Sequence, residues 1–143
     1  MGLLRSGAER GGKSLDGWDV GMMLVTCLAD SKREARAYLR PLVAVYLARL
    51  PDIANQTSAG GDLWTHLADA VAKGGPDAGA RLVSDELIDE VTINGTMSDV
   101  RTGLERYIAA GINLPIITPV GFEGRVLEAM APSRLGPVDL IPR

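Results

Sequence analysis

Residues 91–121 read VTINGTMSDVRTGLERYIAAGINLPIITPVG, and this stretch decides the fold. It contains a helix start, a helix, a helix stop and a strand, in that order. Thr96 is the N-cap candidate, and Asp99 stands three residues on, where a capping box places its acidic partner. Met97, Val100, Leu104, Tyr107 and Ile108 recur at helical spacing, which turns one stripe toward a core. Gly111 follows as a left-handed stop, with Ile112 placed for the closing hydrophobic contact. The run 114–119, LPIITP, is apolar without alternation, as expected of a strand covered on both faces. The unit is a helix handing over to a buried, parallel strand.

Working outward, 84–90 (SDELIDE) reads as a Ser-capped helix. Far upstream, 20–29 (VGMMLVTCLA) is apolar throughout and of strand length, so it too is expected to be covered on both sides. Asp30 or Ser31 then caps a helix reaching Leu50, with Glu34 as capping-box partner. Its expected inward stripe is Ala35, Leu39, Leu42, Val43, Tyr46 and Leu50, and Pro41 should kink or divide it. Asp62 caps a helix through Lys73, with Leu63, Leu67, Ala70 and Val71 inward and Gly74-Gly75-Pro76 as its stop. A shorter helical piece follows at 77–82. So many helices between two strands exceed a simple crossover, and part of the block is an excursion. Phe122 opens a last expected helix, 122–130, before a Pro-rich tail at 132–143. The domain boundaries read as 1–131 and the tail.

The chain has 143 residues, enough for one domain with a sizeable core. A net charge of -3 argues against nucleic acid, which requires a concentrated basic face. A single cysteine, Cys27, excludes an internal disulfide and a multi-thiolate zinc site. No apolar run has the length of a membrane span, and no apolar signal core follows Arg5 and Arg10. The expected location is the cytoplasm.

Few side chains suggest chemistry on their own. His66 is the only histidine, so neither a metal pair nor a triad can be built around it, and no metal is expected. Cys27 reads as core, with no neighbouring base to activate it. The pairs Gly11-Gly12, Gly60-Gly61 and Gly74-Gly75 lack phosphate-loop spacing and read as helix stops. Asn94-Gly95-Thr96 fits a glycosylation pattern but reads as a turn and a cap. The acidic run Asp85, Glu86, Asp89 and Glu90 occupies the early turns of a helix, where the dipole favours carboxylates, and reads as a solvated face. Lys32, Arg33, Arg36 and Arg40 read as the solvent side of theirs.

Gly95, Thr96, Val100, Leu104, Tyr107, Ala110, Gly111 and Ile112 resemble the G-T-x-x-x-V … L-x-x-Y-x-x-A-G-(I/V) ending of luciferase-like flavin- and deazaflavin-dependent oxidoreductases. Residues 84–89 are similar to that family's V-S-D-E-L-(V/I)-D helix, and 21–37 to its penultimate barrel strand and following helix. The resemblance implies a C-terminal fragment of a (β/α)8 TIM barrel: α/β, mostly helical, with two parallel buried strands at about 20–29 and 114–118. It further implies FMN or a deazaflavin as cofactor, a small-molecule substrate, and monooxygenation or hydride transfer. Catalytic rims of such barrels lie at the C-terminal strand ends, which marks Thr26, Cys27, Thr118 and Gly121 as pocket-edge candidates. The plainer reading makes Thr118 and Gly121 a turn between strand and helix.

Two of eight strands cannot close a barrel. The expected partner is therefore a separately encoded N-terminal barrel half or further copies of the chain. The two strands should carry helices on one side and leave the other bare. The alternative is a noncatalytic remnant or small helical interaction module.

Overall fold

Three parallel strands order the molecule in the computed structural model, which describes residues 2–122 and 125–126. β1 (Gly21–Leu28) is central; β2 (Ile93–Gly95) flanks it on one side and β3 (Leu114–Pro119) on the other. Thr26 pairs with Ile93 and Leu28 with Gly95, while β3 pairs from Gly21–Leu114 through Thr26–Pro119. The parallel pairing expected of the two long strands is present. β2 was not legible in the sequence: three residues are too few to show a period, and Asn94-Gly95 read as a turn.

Helices make up the rest: α1 (Gly2–Arg10), α2 (Lys32–Arg49), α3 (Pro51–Ala54), α4 (Leu63–Ala80), α5 (Asp85–Val91) and α6 (Met97–Ala109). α6 begins and ends as its residues dictate. Thr96 and Asp99 form a reciprocal capping box. At the other end Gly111 has φ +100, donating to Ile108 O at 2.9 Å while Ile112 N reaches Tyr107 O at 3.1 Å. Both bonds of a Schellman stop are thus made. α4 breaks at Gly75, whose φ of 71 and ψ of -167 no helix contains.

Side-chain alternation along β1 assigns helices to both faces. On one face Cys27, with Val25 against it, joins a core built from Ala35, Leu39, Val43, Ala44 and Leu47 of α2, Leu67 of α4, and Leu87 and Ile88 of α5. On the other, Leu24, Leu28 and Ile93 pack with Val100 and Val126, backed by Leu104, Tyr107 and Ile117. This layering corrects the expectation of helices on one side only. The strands are also less covered than their apolar runs suggested. Gly21, Met22 and Met23 are exposed, and Leu114 and Ile116 remain 45% and 46% accessible. Only the C-terminal half of β1 is buried, because α2 and α6 both pack toward that end.

α2 narrows one expectation and corrects another. Of the kink or division expected at Pro41, the division is absent, for the helix is continuous from Lys32 to Arg49. Its inward column is Ala35, Leu39, Val43 and Leu47, a strict four-residue repeat, and Leu42 and Tyr46 are exposed. Both residues lie one helical step, about 100°, from the buried column.

The outer edge of β3 has a specific chemistry. Leu114 N donates to Val20 O and Val120 N to Thr26 O, so the even-numbered residues turn their backbone groups toward β1. In a parallel ladder the odd-numbered ones then face outward. Two of those three are Pro115 and Pro119, which leaves Ile117 as the sole outward N–H. Among the described residues no helix is long and apolar enough to cross a membrane. The expected helix 122–130, apart from Phe122, Arg125 and Val126, and the tail 132–143 lie outside the described residues.

Candidate functional site

The C-terminal edge of the sheet is where the loops after parallel strands converge with helix N-termini. Here it gathers the β1–α2 turn, the β2–α6 turn and the segment after β3. Ser31 caps α2, its Oγ accepting from Glu34 N at 3.2 Å, while the Glu34 carboxylate accepts from Asp30 N at 3.1 Å. Of the two polar runs that read as solvated faces, Arg33, Glu86 and Glu90 are exposed as expected, while Lys32, Arg36 and Arg40 meet Asp85 and Asp89 at this edge. Arg36 binds Asp89 through both Nε and Nη2 and reaches Asp85 with Nη1 at 3.0 Å. Arg40 ties Asp85 to the Val83 carbonyl, and Lys32 Nζ lies 3.1 Å from Asp89. This correction has a geometric cause: α5 runs along α2, so two charged faces become one seam, which no single-helix pattern reveals.

Asp89 is the hub. Partial burial alone would push its carboxyl up, but bonds from Arg36, Asn94 and Lys32 outweigh this and hold it at about 2. The same bond to Asp89 raises the Arg36 guanidinium above its ordinary value, against the effect of burial. Asp99 is lowered by the Thr96 hydroxyl and backbone N–H that cap it. Asn94, nearly buried, donates from Nδ2 to Asp89 Oδ1 at 3.0 Å and to Thr92 Oγ1 at 3.1 Å. Beside these groups lies a cleft of about 250 Å³ lined by Lys32, Asp89, Asn94, Ser98, Asp99 and Arg106, among others. The seam orients groups and fixes the turn after β2.

The four rim candidates divide into two pairs. Thr26 and Cys27 have no accessible surface, and the Thr26 hydroxyl donates to Leu24 O at 2.9 Å. Thr118 and Gly121 are half-buried at the end of β3. Gly121, at φ +75, lies against Tyr38: a Cβ there would come 2.8 Å from Cε1 of that ring. Tyr38 meets Phe122 with centroids 5.9 Å apart, Arg125 covers Phe122, and Arg125 pairs with Asp30 at 2.7 Å. This chain of contacts ties the end of β3 to the start of α2. His66 is exposed on α4.

A flavin or deazaflavin requires a pocket in the range of roughly 300–1,000 Å³ that buries most of its surface. The cleft at this edge is smaller, and Lys32, one of its two cations, is already paired with Asp89. The residues at this edge do not by themselves fit such a cofactor.

No family model matches the chain. It is 27% identical over 126 residues to a Mycobacterium tuberculosis protein that bears the provisional name coenzyme F420-dependent oxidoreductase. That alignment takes in 82% of this chain and 35% of the relative. The fold matches coenzyme F420-dependent tetrahydromethanopterin reductase from Methanopyrus kandleri with a TM-score of 0.72 at 21% identity, over 87% of this chain and 37% of that one. The chain therefore spans about a third of the length of these proteins. The resemblance to luciferase-like, deazaflavin-type oxidoreductases stands, as an α/β fold of mostly helices around a three-stranded parallel sheet.

Proposed function

We propose that this chain is the C-terminal portion of a luciferase-like (β/α)8 oxidoreductase acting on a small-molecule substrate with a reduced deazaflavin. Hydride transfer is the reaction class; FMN-dependent monooxygenation is the competing one. The observation that carries this reading is the 27% identity to a coenzyme F420-dependent oxidoreductase over 126 residues, along most of the chain. The small cleft limits what these residues contribute. They supply one stretch of wall, with Thr118 and Gly121 at its rim, and the rest of the cofactor site comes from the other strands of the barrel. When bound, the deazaflavin would supply the hydride; the Arg36–Asp89 seam holds the turns after β1 and β2 at that rim.

The test is a titration of the purified chain with coenzyme F420 and with FMN, following fluorescence and melting temperature together. Saturable deazaflavin binding that raises the melting temperature supports the proposal. A second reading, a noncatalytic interaction module, is favoured by the complete burial of Thr26 and Cys27. A folded chain that binds neither cofactor, alone or with a complementary half, establishes that reading instead.

A further inference from the structure

Two apolar surfaces at the N-terminal end of the sheet have no partner within the described chain. The first is α1, which buries none of its residues and leaves Leu3 90% and Leu4 52% accessible. A helix of nine residues is marginal in water without packing. The second is the N-terminal half of the sheet face whose other half α2 covers. There Met23 is 69% exposed and sits beside Leu114 and Ile116, on the same face by register. Gly21 joins the two surfaces. A Cβ on it would lie 3.6–3.7 Å from Leu114 and Ile116, and it also borders an apolar cleft shared with Leu3, Leu4 and Trp18. Contiguous apolar surface of this kind marks an interface.

Charge indicates what covers it. α1 and the turn after it carry Arg5, Arg10 and Lys13 against Glu9, while the next segment carries Asp16 and Asp19. Among the described residues none of these five outer charges, Arg5, Arg10, Lys13, Asp16 and Asp19, forms an ion pair. A single chain thus holds a basic apolar helix and, beside an apolar sheet face, an acidic segment. The two are complementary, which is what a two-fold interface requires of one surface. Addition of a strand is disfavoured at β3, where Pro115 and Pro119 leave a single outward N–H. The occupant packs on the face.

We propose that a second copy of this chain binds there reciprocally. α1 of each copy lays Leu3 and Leu4 on Met23, Leu114 and Ile116 of the other, with Arg5 and Arg10 against Asp16 and Asp19. This goes beyond the cofactor reading and does not depend on it.

The test is sedimentation of the full chain, wild type and variants, with circular dichroism to confirm folding. The wild type is expected to be a dimer. Met23→Lys and Leu4→Lys, both at exposed positions, are expected to yield folded monomers. Arg5→Glu with Arg10→Glu should weaken the dimer by at least about tenfold, and adding Asp16→Lys with Asp19→Lys should restore it. A wild type that stays monomeric, a dimer indifferent to Met23→Lys, or a monomer that assembles only with a different polypeptide would each overturn the proposal. Loss of the dimer would leave the cofactor titration unaffected as a separate result.

Discussion

Arg36 and Asp89 form a two-pronged ion pair across α2 and α5, with Nε 3.0 Å from Oδ1 and Nη2 closing on Oδ2. The fork geometry suits a guanidinium and not an ammonium. The pair also links the seam to β2, because Asn94 donates to the same Oδ1. Arg36→Lys keeps the charge and loses the second prong, so it is expected to destabilise by about 1 kcal/mol. Arg36→Met leaves a partly buried carboxylate short of its main partner and should cost about 1–3 kcal/mol. Urea unfolding of the three proteins side by side checks the order.

The same carboxylate sets a pH dependence. The folded value of about 2 lies below the ordinary 3.8, so the ionised form is the one that folding favours. The stabilisation is fully present above the ordinary value and is lost as pH falls from about 4 toward 2. Asp89→Asn should flatten that part of the stability profile and lower stability at neutral pH by about 1–2 kcal/mol. Melting temperature measured from pH 7 to pH 2 on both proteins decides it: equal slopes through the acid range would contradict the assigned pairing.

Much of this fold was legible along the chain, and the reason it failed elsewhere is consistent. Thr96, Asp99, Gly111 and Ile112 act within one turn of each other, so local chemistry determined both ends of α6. Leu42 and Tyr46 could not be assigned that way. Leu42 is as apolar as Leu39 and Val43, Tyr46 carries a large apolar ring, and only the position of α2 over the sheet separates the buried residues from the exposed ones. The Arg36–Asp89 seam joins residues 53 positions apart, and β2 exists only because β1 offers it a partner. Of the site candidates, Thr26 and Cys27 were placed at a strand end by sequence, but whether a strand end is open depends on what packs over it.

Gly103 tests local propensity against packing. In a helix interior, alanine is favoured over glycine by about 1 kcal/mol. A Cβ at Gly103, however, would come 2.8 Å from Ile93 Cγ2, a buried side chain of β2 with little room to yield. Packing is expected to win. Gly103→Ala should destabilise by about 1–3 kcal/mol, while Gly61→Ala, with nothing within 4 Å, should change stability little. A stabilised Gly103→Ala protein would show that α6 lies farther from β2 than described.

The capping box offers a measurement with two readouts. Asp99 Oδ2 accepts from Thr96 N at 2.8 Å and from the Thr96 hydroxyl at 2.6 Å, and those bonds lower the Asp99 carboxyl. Thr96→Ala removes the hydroxyl but not the backbone donor. It should cost about 1 kcal/mol and move the Asp99 titration upward, toward the ordinary carboxylate value, without reaching it. Carboxyl chemical shifts followed through the acid range read the titration, and chemical unfolding reads the stability. Thr96→Ser should preserve both, since a serine hydroxyl caps as well. If Thr96→Ala lost stability while the Asp99 titration stayed in place, the hydroxyl would be acting on the α6 amides alone, and its own bond to Asp99 Oδ2 would carry no weight.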